Sequence, residues 1–240
     1  MGNYKSLIGD LICGLVGGRL SISDAEQVVM SADIDELDRK GLLSLLLGTT
    51  FVSVEDTVEK LKVLGDSNSF KRVALFEKVS EEQYVSDMLG HNLINVEDKR
   101  VLDWYKAIEL PRRGTKGSAG YDFICPVDIC LKPGESIVVC SGIRCLMKDN
   151  WVLKAYPRSS SGTKYRVQFN NTVPIIDSDY YYSENEGHIM FKIFNDSREG
   201  KDFILNKGEK LCQGIFLEYG ITFDDDVSTE RTGGFGSTGK

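Results

Sequence analysis

The sequence predicts a mainly β protein, a sandwich, barrel or jelly roll, preceded by a small α-helical module. Three observations predict it. After Leu110-Pro111 the chain breaks into short runs rich in β-branched and aromatic residues, among them 135–140, 151–156, 188–194 and 211–217. Gly, Pro, Asn and Asp turns separate them, the pattern of closely spaced antiparallel strands. No alternation of strand and long helix suggests a parallel sheet. Ahead of these runs, residues 1–66 carry apolar side chains at helical spacing instead.

Ser23 followed by Glu26 reads as a capping box, with Ala25, Val28 and Val29 on the helix behind it. Leu37, Leu42, Leu45 and Leu46 form a second stripe, and Ser53 can cap a third helix bearing Val54, Val58, Leu61 and Leu64. Gly41, Gly48 and Gly65 read as breaks or C-terminal caps, and Asp66-Ser67-Asn68-Ser69 as a turn or linker. So short a module builds a marginal core by itself. It carries no catalytic constellation and leaves room for a protein partner. A second unit, 67–240, opens with a helical lead-in over 75–106. There Ser80 with Gln83 is another capping box, and Val96 to Tyr105 suits a further helix. A β region follows over 107–222, and then a glycine-rich tail over 223–240.

Of the 240 residues 41% are hydrophobic and 27% charged, an ordinary globular balance, and the formal net charge is -7. Without a run of Lys or Arg, a nucleic-acid surface is not expected. A small polyanionic ligand remains compatible, since it needs only a few converging donors. The six cysteines contain no C-x-x-C pair, and His91 and His188 stand far apart, which argues against a structural zinc. Free buried thiols in a reducing cytoplasm are the simpler expectation. Leu7 to Val16 is too short and too interrupted to span a bilayer, so no membrane association is expected. The opening MGNYKS fits a myristoylation pattern that is too loose to adopt.

Five polar or glycine-rich patches lie between the apolar runs: Gly117 to Asp122, Pro157 to Gly162, Asn171 to Tyr180, Gly208 to Gly214, and Arg231 to Gly239. Taken singly, each is a turn, and Arg158 with its serines reads as a surface ion pair beside a serine-rich loop. Taken together, in this order and spacing, the patches resemble the trimeric dUTPase family over about 100–240, with the likeness extending back to about 70.

That resemblance implies a dUTPase-like jelly-roll β-barrel and a homotrimer with shared active sites. The implied reaction is hydrolysis of dUTP to dUMP and pyrophosphate, assisted by magnesium (Mg²⁺). Arg158 would offer its planar fork of donors to phosphate oxygens, Ser159 a hydroxyl, and the chain at Ser160 its backbone amides. Asp177 would be the catalytic carboxylate, orienting the attacking water and also meeting the 3′-hydroxyl. Tyr180 would pack on the sugar and leave no room for a 2′-hydroxyl. Asn171 would line the uracil pocket, the Met190 backbone would meet the uracil edge, and Ile175 and Ile176 would complete the substrate contacts. Asp122 would hold the Mg²⁺ through water, as suits an ion that keeps most of its hydration. Gln213 would donate its amide to the phosphate chain. In the tail, a mobile lid, Phe235 would stack on uracil while Arg231, Gly236, Ser237 and Thr238 close over the γ-phosphate. The GFGSTGK ending superficially matches a P-loop, but no Ser or Thr follows the lysine and no helix can follow it.

The chain departs from the family pattern in three places. Pro174 stands where glycine is usual and has no N–H to give a base. Residues 181–186, YYSENE, look like an insertion after Tyr180, and RTGGFG has one residue fewer before its glycine pair. Two alternatives stay open: a dCTP deaminase or bifunctional deaminase–diphosphatase of the same fold, and a regulatory protein using a nucleotide pocket as a switch.

Overall fold

The protein is described from a computed structural model that covers residues 2–47, 54–65, 71–93, 100–229, 231 and 233. By its internal packing the chain divides into Met1–Leu75 and Phe76–Lys240.

Apolar side chains every three to four residues build the first unit from four helices: α1 (Gly2–Val16), α2 (Ile22–Ser31), α3 (Glu36–Leu47) and α4 (Val54–Gly65). Helix α1 packs on α4, and α2 on α3. Ile8, Leu11 and Leu15 of α1 join Ala25, Val29, Leu42, Leu46, Val58 and Leu61 in one buried cluster. Two sequence expectations are corrected. The capping box of α2 is Ser21 with Asp24 rather than Ser23 with Glu26. The Ser21 hydroxyl accepts the Asp24 N–H at 3.1 Å, and the Asp24 carboxylate accepts the Ser21 N–H at 2.8 Å. The earlier start brings Ile22 into the helix, where it packs on the cluster. Gly41 does not end a helix but lies inside α3. Glycine there costs about 1 kcal/mol, whereas burying Leu42 and Leu46 on the same helix gains roughly 1.5–3 kcal/mol each. Gly48, Ser53 and the turn at 66–69 lie outside the described residues.

The second unit begins within strand β1 (Ala74–Lys78) and continues with α5 (Glu81–Gly90) and α6 (Arg100–Lys106). Ser80 caps α5 as expected, accepting the Gln83 N–H at 3.1 Å. The reciprocal half of the expected box is not made by Gln83, whose amide turns to Asp87 instead, at 2.9 Å. The Ser80 N–H donates at 2.7 Å to Glu186, more than a hundred residues away.

Eleven further strands follow: β2 (Arg112–Arg113), β3 (Tyr121–Ile124), β4 (Ile129–Leu131), β5 (Ser136–Cys140), β6 (Ile143–Met147), β7 (Trp151–Pro157), β8 (Val167–Phe169), β9 (Ile175–Ile176), β10 (Met190–Asn195), β11 (Phe203–Leu205) and β12 (Lys210–Glu218). A short helix, α7 (Ser159–Tyr165), and a 3₁₀ turn, Ser178–Tyr182, interrupt them. The main sheet has the order β2-β3-β12-β7-β9, a second has β5-β10-β8, and two pairs, β11-β4 and β1-β6, complete the set. The registers of both larger sheets are antiparallel. This is the mainly β architecture with an N-terminal helical region that the sequence predicts.

The two larger sheets meet through aromatic side chains. Phe123 on β3 stands edge-on to Phe191 on β10 at 5.2 Å, and Phe191 also contacts Phe169 on β8 at 5.5 Å. Phe123 and Phe191 are among the largest fully buried side chains, so this contact forms the centre of the sandwich core. Among the described residues, no helix is long and apolar enough to cross a membrane.

All six cysteines are free thiols, but only four are buried, because Cys13 and Cys130 reach the surface. Burial pushes the Cys125 and Cys140 thiols up to about 12 and those of Cys145 and Cys212 well above the ordinary value. The thiolate is the reactive form. Under native conditions near neutral pH, a thiol reagent should therefore label Cys13 and Cys130 rapidly and the other four only on unfolding, as peptide mass spectrometry would read.

Candidate active site

Strand pairing places the residues of the first, second and fourth patches together. Gln213 on β12 lies opposite Asp122 on β3 and, on its other side, opposite Tyr156 on β7, so all three share one sheet face. Gly120 lets the strand approach closely: a Cβ at that position would come within 2.5 Å of the Gln213 side-chain oxygen, which would have to move. Strand β7 ends at Pro157, and Arg158 is the N-cap residue of α7. The amides of Ser159, Ser160 and Ser161 occupy the first turn of that helix, where N–H groups lack intrahelical acceptors. The Asp122 carboxylate is held between two cations, Lys210 Nζ at 2.7 Å and Arg158 Nε at 3.6 Å. A cleft of about 370 Å³ opens beside them, lined among others by Arg158, Ser160, Tyr165, Gly208 and Lys210. Cationic, hydroxyl and amide donors converging around one carboxylate suit a polyphosphate.

The third patch forms a separate group. Asn171 is exposed in the turn after β8, beside Thr172, a β-branched residue at φ 66°. Such a conformation costs of order 1–3 kcal/mol and persists only where the surroundings impose it. Pro174 sits at the start of the edge strand β9, and its carbonyl accepts the Ala155 N–H at 3.0 Å. An edge position tolerates the missing N–H. Ile175 is 59% exposed and Ile176 is buried in the core, as strand alternation dictates. A ligand could therefore meet the Ile175 side chain but only the backbone of Ile176.

Asp177 follows β9 directly and is half exposed. The Tyr180 ring is buried, and its hydroxyl donates to the His188 carbonyl at 2.9 Å while accepting from the Asn185 amide at 2.9 Å. Burial raises the Tyr180 pKa, so the phenol stays protonated. Met190 begins β10 opposite Cys140, with its side chain buried. Arg231 comes to this group rather than to the Arg158 cluster: its guanidinium meets Asp177 at 2.6 Å and Asp179 at 2.9 Å, and lies 5.7 Å from the Tyr180 ring centre. Phe235, Gly236, Ser237 and Thr238 lie outside the described residues.

The two groups are far apart in one chain. Strand β9 runs antiparallel to β7, with Ile176 opposite Leu153, so Asp177 leaves beside the start of β7 while Arg158 follows its end. Five to six residues of extended chain separate them, roughly 17–20 Å at about 3.3 Å per residue. A single copy does not bring the Asp177 group onto the Arg158 group.

Sequence reasoning missed several residues around the sites. Lys210 lies in the fourth patch, yet its type and position alone do not show that it pairs with Asp122. The 181–186 segment is not a loose loop. Tyr181 is buried, its hydroxyl donates to the Glu77 carboxylate, and the Arg144 guanidinium stacks 3.6 Å from its ring centre. Glu186 accepts from both the N–H and the hydroxyl of Ser80, at 2.7 and 2.6 Å, with Arg144 at 3.7 Å. Fully buried His188 lies 2.6 Å from Asp87 through Nδ1, while its Nε2 accepts the Gly142 N–H at 2.8 Å. An accepting Nε2 places the ring proton on Nδ1, which then donates to Asp87. These partners lie 37 to 106 residues apart, beyond any local pattern.

Among the described residues, no three His, Cys, Asp or Glu side chains converge to hold a metal by themselves. The Asp122 carboxylate fits a magnesium ion held through water beside phosphate oxygens, not a cage of direct protein ligands.

An antiparallel β-sandwich with a phosphate-type donor cluster at one strand end and a carboxylate with a buried tyrosine at another defines a nucleotide-handling class of protein. The dUTPase family model matches residues 106–239. The deoxyuridine 5′-triphosphate nucleotidohydrolase of Lactococcus lactis subsp. lactis (strain IL1403) is 38% identical over 135 residues, covering 55% of this chain and 89% of that protein. The enzyme of the same name from Paraburkholderia phytofirmans is 36% identical over 151 residues, covering 60% of this chain and 97% of that protein. A crystal structure of dUTPase from Streptococcus mutans is 32% identical, covers 47% of this chain and 88% of that one, and superposes with a TM-score of 0.43. The chain belongs to the dUTPase family and is an enzyme of that family.

The Asp87 and Glu186 carboxyls have an acid-stability consequence. Burial works to raise both, but hydrogen bonds from His188 and Gln83 to Asp87, and from Ser80 to Glu186, outweigh it and hold both below their ordinary values. A carboxyl depressed on folding adds stability above its unfolded pKa and loses it as the pH falls through the folded value. The melting temperature should therefore drop on acidification from about pH 5 towards pH 3. Asp87→Asn should flatten that slope, as thermal denaturation across the pH series would measure.

Proposed function

We propose that this chain hydrolyses dUTP to dUMP and pyrophosphate as a homotrimer whose sites combine groups from different copies. The observation that carries the reading is the separation of the Arg158 group, at the end of β7, from the Asp177 group, which leaves β9 beside the start of β7, both within the dUTPase span. A closed symmetric assembly places the Asp177 group of one copy against the Arg158 group of its neighbour.

In this reading Asp177 orients a water for in-line attack on the α-phosphorus and takes up its proton. A bond forms from the water oxygen to the α-phosphorus, the α,β-bridging P–O bond breaks, and its electron pair leaves with pyrophosphate. Arg158, the Ser159 hydroxyl, the amides at Ser160 and the Gln213 side chain hold phosphate oxygens and stabilise the negative charge of the transition state. Asp122 would hold magnesium through water, and the ion would supply charge neutralisation for the triphosphate and its leaving group. Lys210, which pairs with Asp122, would offer its ammonium to phosphate.

The Tyr180 ring packs on the deoxyribose, excluding a 2′-hydroxyl. Asn171, the exposed Ile175 side chain, the Ile176 backbone and the Met190 backbone bound the base. Pro174 removes one donor that a base could use. Arg231 exchanges its carboxylate partners for phosphate, and Phe235, Gly236, Ser237 and Thr238 close the tail over the nucleotide. A reducing cytoplasm suits the six free thiols.

Asp177→Asn should lower kcat by about a thousandfold while leaving the Kd for dUTP within a few-fold, the size expected for loss of a general base. Pyrophosphate release and calorimetric titration would read this; near-normal turnover would place water activation elsewhere. Arg158→Ala and Asp177→Asn should each be inactive alone. Refolded together in equal amounts, they should recover about a quarter of wild-type activity, because half the copies carry each intact group and the two combine at random. No recovery would exclude sites shared between copies. A parallel incubation with dCTP reports any deaminase activity.

A further inference from the structure

The family match begins at residue 106, yet Phe76–Tyr105 belongs to the same compact unit as the matched region. Its polar contacts converge on the chain that follows Asp177. Glu77 accepts from the Tyr181 hydroxyl, Ser80 donates twice to Glu186, and Asp87 receives the His188 ring proton. Tyr84, fully buried, lays its ring 6.1 Å from the His188 ring. Beneath them Gly142 has φ +72°, and a Cβ there would come within 2.2 Å of Ile108. No other residue could present its N–H to His188 Nε2 from that position without displacing its neighbours.

The segment held in this way itself holds Tyr180. The Tyr180 hydroxyl donates to the His188 backbone carbonyl and accepts from the Asn185 amide, and its own carbonyl accepts the Ser183 hydroxyl at 2.8 Å. His188 thus links the two, its ring bonded to Asp87 and its backbone carbonyl to the phenol of Tyr180. The chain ahead of the family span and the 181–186 insertion form two sides of one clasp.

We infer that residues 77–87 and 181–188 form a brace that sets the position of the Tyr180 ring, and that Asp87 is a positioning residue for recognition of the sugar. The inference rests on the assignment of Tyr180 to the deoxyribose. The brace acts on substrate fit rather than on the attacking water. Asp177 leaves β9 before the braced segment begins, and the Asp87 carboxylate is directed at His188 and Gln83. Loss of the brace therefore raises KM for dUTP and weakens rejection of UTP more than it lowers kcat. Asparagine at position 87 can still accept the His188 proton, so it preserves most of the effect.

The test compares wild type, Asp87→Ala, Asp87→Asn and Asn185→Ala, using steady-state turnover of dUTP and UTP and amide hydrogen exchange over 177–190. In Asp87→Ala the KM for dUTP and the dUTP-to-UTP preference should each worsen about tenfold, with kcat within about threefold. Asp87→Asn should stay within about threefold of wild type in all three quantities, and exchange over 177–190 should quicken in the alanine variant alone. Asn185→Ala leaves the Asp87–His188 pair intact and should lower the preference by about threefold, deciding the matter if Asp87→Ala does not fold. Folded variants with wild-type KM, preference and exchange overturn the brace. A wild-type enzyme that leaves dUTP intact overturns the hydrolysis reading instead, and the exchange data then still judge the brace: unchanged protection over 177–190 refutes it.

Discussion

The pairing of β7 with β12 on one side and β9 on the other is the constraint on which the site geometry depends. Its register from Cys212–Pro157 to Glu218–Trp151 puts Gln213 beside the end of β7. The same sheet aligns Gln213 with Asp122. The short antiparallel return of β9 delivers Asp177 at the opposite end. A one-residue slip in either ladder would turn every side chain to the other face and scatter the donor cluster. Leu153 and Ala155, fully buried on β7, oppose such a slip, because it would carry them out of the core.

Electrostatics divide along the same line. At the end of β7 a carboxylate sits between two cations, and at its start two carboxylates share one arginine. Each arrangement leaves room for exchange of partners with a charged nucleotide, and all of these ion pairs are at least partly exposed, so none is a strong structural lock. Buried polar contacts lie elsewhere, among them those of His188 and its neighbours, where an unpaired group would be costly. The exposed pairs can rearrange while the buried contacts hold the segment that follows Asp177.

Much of the fold was legible because it rests on local periodicity. The β runs from 135 to 217 emerge as β5, β7, β10 and β12, and Ser80 caps α5. The misreadings have local causes. Ser21 and Ser23 are equally good caps by composition, and packing of Ile22 chose the first. Gly41 reads as a break, but a flanking leucine stripe overrode its propensity. At the site, the five patches were visible as patches, and the family resemblance assigned their roles. Lys210 beside Asp122, Arg231 against Asp177 and Asp179, and the inward turn of Ile176 required coordinates.

By itself the sequence determined the mainly β class, the helical module ahead of it and the identity of the polar patches. These follow from side-chain periodicity and turn chemistry, which act within a few residues. Only the tertiary structure decided which patches meet within one chain and that the 181–186 segment is clasped by the lead-in. Contacts such as Ser80–Glu186 and Asp87–His188 join positions about a hundred residues apart. Strand register and packing, which no local pattern encodes, bring such positions together.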